Sequence, residues 1–348
     1  MTTYSNPVWP ETFADPFVLR HEGVYYAYGT GPGADDGRQV PVLRSTDLVH
    51  WEALGHALRP GGGGGPGDVH VWAPEVAFHD GRFYMYYSSG AGAAEGTDQK
   101  LRVAVSDTAE GPFIDAGKLL VPDQRFSIDA HPFRDADGQC YLFYCVDFLD
   151  QSDEHRTGTG IVVDRLLDMT TLAGAPRMVV RPHHDWHVFR KGRSMYGGVY
   201  DWHTVEGAAL QVHDGKYHCF YSGGAWERDN NGVSYVVADH PLGPYRRPEG
   251  GEEALLMRTP AGGGLLGPGH NSFTVSPDGS ETWIVYHAWD LAQTGRRLCI
   301  DRMDWRDGKP VTDGPSWTPR PAPSGETVST PASRTPATPP GNAAAGPT

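Results

Sequence analysis

The sequence predicts an all-β protein with the architecture of a five-bladed β-propeller, in which each blade is a four-stranded antiparallel sheet. Two observations support this prediction. Helical periodicity is almost absent, and short aromatic or β-branched runs alternate with Gly-containing turns, as they do in hairpins. In addition, one hairpin pattern occurs five times, with an apolar strand, a turn ending in Gly and a strand rich in Tyr, Phe or Trp.

The five hairpins recur at similar distances along the chain. Their turn glycines are separated by 58, 57, 77 and 64 residues, and they are Gly23, Gly81, Gly138, Gly215 and Gly279. Each hairpin is followed by a third apolar strand and often by a fourth, and units of this length are typical of propeller blades. A two-sheet sandwich is the alternative fold, but it does not predict five equivalent hairpins.

The composition divides the chain into one large domain and a tail. We expect residues 1–318 to form the propeller, which would carry any catalytic function. Residues 319–348 contain no aromatic residue and are rich in Pro, Thr, Ala and Gly, so we expect a disordered tail there. The Gly-rich run at residues 61–67 predicts a flexible loop between the first two blades, which either borders a pocket or has no role.

The charge balance limits the classes of partner. The chain has 29 basic and 43 acidic residues, a net charge of −14, and such a surface repels nucleic acid and anionic lipid. We therefore expect a neutral ligand, with no nucleic acid and no membrane. The first residues, MTTYSNPVWPETF, lack the basic and apolar segments of a signal peptide. This predicts a cytoplasmic protein, or a secreted one if a leader precedes this sequence.

Acidic residues recur at one level of the predicted channel. The first strand of each blade lines the centre of a propeller, so side chains at the same phase of these strands converge. Counting back from the turn glycine gives eight residues to Asp15 and nine to each of Asp129, Glu206 and His270. Four of the five repeats thus place an acid or a histidine near the mouth of the channel.

Three converging carboxyl groups suggest a reaction. A lone Asp before Pro is usually a turn residue, but clustered carboxylates raise each other's pKa, and this cost is tolerated mainly where chemistry uses it. Glycoside hydrolysis needs one ionised carboxylate to activate water and one protonated carboxyl to protonate the leaving oxygen. A third can keep that acid protonated. Four tryptophans near these positions are either sugar-stacking or core residues, namely Trp9, Trp72, Trp202 and Trp289.

Six short motifs in order resemble glycoside hydrolase family 43. The resemblance extends from about residue 6 to about residue 317. The motifs are NPV…ADPFV around Asp15, WAPEV at Trp72, SIDAHPF around Asp129, VEGA at Glu206, GPGHNS at Gly267 and YHAWD at Tyr286. Each is weak evidence alone, but all six on a fivefold repeat indicate the family.

The resemblance implies an inverting glycosidase on a five-bladed propeller. It assigns Asp15 as the general base, Glu206 as the general acid and Asp129 as the residue that modulates the pKa of the acid. We expect an exo-acting α-L-arabinofuranosidase that acts on arabinan or arabinoxylan oligosaccharides. The segment TGRRLCIDRMDW resembles a family stretch whose first Arg contacts the innermost sugar, which indicates Arg296, with Arg297 as the alternative.

The resemblance also implies a possible calcium ion in the central channel, held by His270 and usually by waters as well. The alternative is a histidine that is hydrogen-bonded in the channel without a metal. No organic cofactor is expected. The predicted contacts with the oligosaccharide substrate come from Trp72, Trp202, His287 and Arg296.

Other functions remain open at this stage. A β-xylosidase of the same family is the nearest alternative, because only the shape of the pocket separates the two activities. A catalytically inactive carbohydrate-binding propeller would keep the fold and the aromatics, and a protein-interaction propeller would need an exposed apolar face. Three positions depart from the common family pattern and leave the subfamily open, namely Glu75, Ala208 and Ala209.

Overall fold

The computed structural model describes residues 2–61, 70–92, 97–248 and 255–325. The first two blades follow one short N-terminal strand. In chain order these strands are β1 (Thr3–Tyr4), β2 (Ala14–His21), β3 (Val24–Thr30), β4 (Gln39–Ser45), β5 (Glu52–Arg59), β6 (His70–His79), β7 (Arg82–Gly90), β8 (Lys100–Ser106) and β9 (Phe113–Leu119).

The remaining three blades occupy the rest of the described chain. The strands of this region are β10 (Ser127–Arg134), β11 (Cys140–Phe148), β12 (Gly158–Asp168), β13 (Thr171–Leu172), β14 (Arg177–Val180), β15 (Val188–Met195), β16 (Gly198–His213), β17 (Lys216–Gly223), β18 (Gly232–Ala238), β19 (Met257–Arg258), β20 (Leu266–Val275), β21 (Thr282–Trp289), β22 (Arg296–Arg306), β23 (Lys309–Thr312) and β24 (Arg320–Pro321). Two of them are additional to the blades, namely β15, which pairs with β16, and β24, which pairs with β1. One 3₁₀ turn, Asp185–His187, precedes β15. The described residues contain no helix that is long and apolar enough to cross a membrane.

Strand pairing confirms the predicted five-bladed propeller. The blades are the antiparallel meanders β2–β5, β6–β9, β10–β14, β16–β19 and β20–β23. Their first strands, β2, β6, β10, β16 and β20, contact one another in a closed ring. The third blade differs slightly from the prediction, because its fourth position is shared by the short strands β13 and β14, which both pair with β12.

Apolar side chains between neighbouring blades hold the ring together. Five separate hydrophobic clusters fill the five gaps between blades. In the gap between the first two blades, Tyr28 and Val42 pack with Val76 and Met85. Full burial of one large apolar side chain contributes about 1.5–3 kcal/mol. The aromatic and branched residues of the repeat therefore supply the stacking faces of the blades.

The two ends of the described chain meet at the last blade. Strand β1 pairs with β24, and the side-chain amide of Asn6 donates to the carbonyl of Ile300 at 2.7 Å. This corrects the predicted domain boundary, because residues 319–325 were assigned to the tail but include β24. Residues 326–348 of the predicted tail, and residues 62–67 of the predicted Gly-rich loop, lie outside the described part of the chain.

Candidate active site

All five inner strands carry a β-bulge at the same level. The pairing register shifts after Ala14, Trp72, Ile128, Glu206 and Gly269. The next residue has a left-handed backbone in every blade, with φ of 49° at Asp15, 44° at Ala73, 56° at Asp129, 62° at Gly207 and 48° at His270. Bulges redirect side chains, and a left-handed conformation is strained for residues other than Gly.

The bulges refine the register that was counted from the sequence. Asp15, Asp129 and His270 occupy equivalent positions, as the first bulged residue of their strands. Glu206 precedes its bulge and is therefore equivalent to Trp72 of the second blade. Counting from the turn glycine missed this offset of one residue, because the loops of the five hairpins differ in length.

The bulged positions surround a cavity of about 220 Å³. The structure brings together all three predicted catalytic carboxyl groups at this cavity, along with three other predicted site residues. The complete set of lining residues is Asp15, Thr30, Trp72, Ile128, Asp129, Glu206, Trp226, His270 and Arg296. Side chains from all five blades therefore converge on one hollow.

Arg296 is the main partner of Asp15. Its Nη1 donates to Asp15 Oδ1 at 2.8 Å, and the carboxyl group of Asp15 is buried. Burial alone would raise the pKa of Asp15, but the Arg296 charge and the nearby histidines outweigh it and hold that pKa well below the usual range. Arg297 pairs instead with Asp290 at 2.9 Å, so the first arginine of the pair is the one at the site.

His287 lies behind Asp15 and does not line the cavity. The backbone N–H of Asp15 donates to His287 Nδ1 at 3.1 Å, and the histidine is only 1% exposed. Burial lowers the pKa of His287 to about 4, so the ring is neutral at physiological pH. The predicted sugar contact is therefore not supported, and His287 instead holds the bulged backbone of Asp15.

Glu206 and Asp129 share one buried environment. Burial, followed by the charge of Asp15, raises the pKa of Glu206 to about 7. Burial, followed by the charges of Glu206 and Asp15, raises the pKa of Asp129 well above its usual value. The backbone N–H of Gly207 donates to Asp129 Oδ2 at 3.2 Å and so favours the ionised form of Asp129. The pair therefore retains a proton near neutral pH.

His270 lies between the two aspartates. Its Nδ1 is 3.5 Å from Asp15 Oδ1 and 4.0 Å from Asp129 Oδ2. Burial is the main cause that lowers the pKa of His270, and this favours the neutral ring. Arg296 is therefore the permanent cation beside Asp15. No group of three or more His, Cys, Asp or Glu side chains within the described ranges is arranged to hold a metal. Calcium prefers 6–8 oxygen ligands, so this donor set does not form a direct calcium cage, and the calcium prediction stays a prediction.

The tryptophans divide between cavity and core. Trp72 lines the cavity, as expected for a sugar-binding residue. Trp202 does not, because its side chain is fully buried and its indole N–H donates to Thr159 Oγ1 at 3.3 Å. Its predicted substrate contact is therefore not supported by the structure. Trp226 was missed by the sequence analysis, although an isolated tryptophan in a Gly-, Asp- and Asn-containing loop is a recognisable signal.

Glu75 belongs to the next level of the channel. Its Oε2 accepts from Nδ1 of His131 at 2.7 Å, and Nε2 of the same ring accepts from the backbone N–H of Leu210 at 3.1 Å. Glu75 therefore links the second, third and fourth blades below the cavity. Its departure from the family pattern is accommodated by this contact and does not alter the lining of the cavity.

Comparison with known proteins identifies the family. The family described as Glycosyl hydrolases family 43 matches residues 4–310 of this chain. The chain belongs to glycosyl hydrolases family 43. A solved structure titled as a thermostable family-43 glycoside hydrolase is 34% identical, has a TM-score of 0.78, and covers 93% of this chain and 100% of its own.

Two curated relatives indicate the range of activities in family 43. The extracellular exo-α-(1→5)-L-arabinofuranosidase of Streptomyces avermitilis is 25% identical over 90% of this chain. The chain spans 64% of the length of that relative. The β-D-galactofuranosidase xynD of Aspergillus niger is 30% identical and covers 87% of this chain and 82% of its own length. The name of the Streptomyces avermitilis relative describes an extracellular protein, so it does not support the predicted cytoplasmic location.

Proposed function

We propose that this family 43 protein is an inverting, exo-acting α-L-arabinofuranosidase for arabinan or arabinoxylan oligosaccharides. One observation carries the proposal. A buried carboxylate with a low pKa and a carboxyl with a pKa of about 7 line the same cavity. The cavity has a volume of about 220 Å³, which is below the ~300–1,000 Å³ typical of pockets that bind drug-sized ligands. A hollow of this size suits a single terminal sugar, which favours exo action.

The two carboxyl groups divide the chemistry between them. Asp15, ionised beside Arg296, takes a proton from water as the water oxygen forms a bond to the anomeric carbon. Glu206 donates its proton to the glycosidic oxygen as the bond from that oxygen to the anomeric carbon breaks. The products are the free sugar and the shortened oligosaccharide, and the new hydroxyl is on the opposite face of the ring.

Asp129 modulates the acid in this scheme. Its carboxylate oxygen accepts from the backbone N–H of Gly207, which directly follows Glu206 in the chain. As anions the two carboxyl groups repel each other, so ionisation of one disfavours ionisation of the other, and the pair keeps a proton that Glu206 can donate.

The pH dependence follows from the directions of these pKa shifts. Activity requires ionised Asp15, which forms as pH rises through its low pKa, and protonated Glu206, which is lost as pH rises through about 7. We therefore expect a bell-shaped profile of kcat/KM with its alkaline limb near pH 7. Initial rates on nitrophenyl α-L-arabinofuranoside from pH 3 to pH 9 measure it. A profile that stays flat across this range would contradict the two-carboxyl scheme.

A substrate panel tests the sugar specificity. The panel compares nitrophenyl α-L-arabinofuranoside with nitrophenyl β-D-xylopyranoside, together with arabinose and xylose oligomers. Preference for the arabinofuranoside supports the proposal, and preference for the xyloside supports the β-xylosidase alternative. Binding of the oligomers without hydrolysis of any glycoside would favour a catalytically inactive carbohydrate-binding propeller.

A β-D-galactofuranosidase is the second candidate. The Aspergillus niger relative with that name is 30% identical and has most of its length covered by this chain. A β-D-galactofuranoside has the same ring configuration as an α-L-arabinofuranoside and carries a longer side chain at C4. The same cavity can therefore discriminate the two sugars only through the space around that side chain, and nitrophenyl β-D-galactofuranoside belongs in the panel.

A further inference from the structure

Trp226 lines the cavity but is not assigned a role by the reaction scheme. It lies in the loop formed by residues 224–231, between β17 and β18 of the fourth blade. Its ring is half-buried and faces the guanidinium group of Arg296, with 4.3 Å from Cζ to the ring centroid. A guanidinium at this distance is attracted by the electron-rich face of the indole.

Arg296 is consequently held from two sides. One side is the Trp226 ring, and the other is Asp15, whose Oδ1 accepts from Arg296 Nη1 at 2.8 Å. An arginine side chain has several rotatable bonds, and one hydrogen bond leaves the guanidinium free to pivot. The second contact fixes the plane of the group. Trp226 of the fourth blade thereby acts on the carboxylate of the first blade through an arginine of the fifth.

The position of Trp226 is fixed in turn by its own neighbours. The indole N–H of Trp289 donates to the Trp226 carbonyl at 2.7 Å, and the two rings are nearly parallel, at 15° with centroids 6.2 Å apart. Asn230 of the same loop donates to the carbonyls of Trp186 and Val188 at 3.2 and 3.0 Å. The Trp289 hydrogen bond therefore holds Trp226 itself, and the Asn230 hydrogen bonds hold the later part of the same loop.

We propose that Trp226 is a positioning residue for the general base, Asp15. The indole ring of Trp226 holds the Arg296 guanidinium against the Asp15 carboxylate. The inference rests on the proposed function, because it assumes that Asp15 activates water. The Arg296 charge is the largest cause that lowers the pKa of the buried Asp15. If the guanidinium moves away, burial dominates and that pKa rises.

The experiment uses Trp226→Leu, Trp226→Phe and the control Trp305→Leu in the full chain. Trp305 is also a stacked tryptophan, 4.0 Å from the His213 ring, but it does not line the cavity. For Trp226→Leu we expect kcat/KM to fall at least tenfold and its acidic limb to rise by about one pH unit or more. In Trp226→Phe the acidic limb should lie close to its wild-type pH, and in the control Trp305→Leu it should be unchanged. An unchanged acidic limb with only a raised KM would overturn the proposal, since the ring would then serve only as a sugar platform.

A second measurement removes the dependence on substrate. Titration of Asp15 is followed by NMR of ¹³C-labelled Asp carboxyl groups, with the signal assigned from Asp15→Asn. The signal should titrate at higher pH in Trp226→Leu, and this shift should disappear when Arg296→Lys is already present. An unshifted signal contradicts the positioning role. If the wild type hydrolyses no glycoside, the proposed function fails while this titration still decides the role of Trp226.

If Trp226→Leu does not fold, Trp289→Phe provides the same test. It removes the indole N–H that donates to the Trp226 carbonyl and leaves both Trp226 and Arg296 intact. We expect a smaller rise of the acidic limb in the same direction, with a melting temperature close to that of the wild type. No change in the limb would overturn the proposal.

Discussion

Glu206→Gln should lower kcat on arabino-oligosaccharides by a factor of about 10²–10⁴, which is the contribution of a positioned general acid. The substitution keeps the shape of the side chain and removes the proton that the leaving oxygen requires. Burial and the charge of Asp15 raise the pKa of Glu206 to about 7, which favours the protonated carboxyl below neutral pH. Affinity for the oligosaccharide should persist and is measured by calorimetry on the variant.

The leaving group provides the internal control for this variant. A dinitrophenolate departs without a proton, so Glu206→Gln should lose far less activity on a dinitrophenyl arabinofuranoside than on an oligosaccharide. Glu154→Gln serves as the matched variant, because Glu154 is exposed and does not line the cavity. Equal loss on both substrates, or no loss on either, would remove Glu206 from the role of general acid.

Asp15→Asn should produce the second large effect, a fall in kcat of about 10²–10⁴ on every substrate, irrespective of the leaving group. An amide cannot accept the proton of the attacking water. The acidic limb of the pH profile should also disappear, since the group that titrates there is absent. Initial rates on the oligosaccharide and on the dinitrophenyl glycoside measure both consequences.

Azide distinguishes a lost base from a damaged site in Asp15→Asn. Because azide attacks without losing a proton, it should restore turnover of the activated glycoside and yield a glycosyl azide of inverted configuration. Asp36→Asn is the control, since Asp36 is exposed and pairs only locally with Arg38. Failure of azide to accelerate a folded Asp15→Asn protein would contradict the role of base.

The repeat made much of the fold and the cavity predictable. Aromatic strands and turn glycines at similar spacings indicated five blades, and turns such as Glu22–Gly23 and Asp80–Gly81 have the paired positive φ angles of tight hairpin turns. Asp15, Asp129 and Glu206 were expected to converge because the first strand of each blade lines the centre. The structure brings them to one cavity.

The remaining features depend on contacts that a linear pattern does not contain. The one-residue offset of Glu206 arises because the hairpin loops differ in length, and only the strand pairing shows which residue of each strand begins the bulge. Trp202 and Trp72 both lie beside a motif, yet only the packing of the blades buries the first and exposes the second to the cavity. Trp226 of the fourth blade contacts Arg296 of the neighbouring fifth blade, and it lies outside every motif recognised in the sequence.

The anomer released first tests the central claim most directly, because it reports whether water attacks opposite the leaving group. Proton NMR during early turnover of an α-L-arabinofuranoside follows the anomeric signals before mutarotation mixes them. With Asp15 as base and Glu206 as acid, β-L-arabinofuranose should appear first. If the α-anomer appears first, water does not attack in a single displacement, and the assignment of Asp15 as a general base is contradicted.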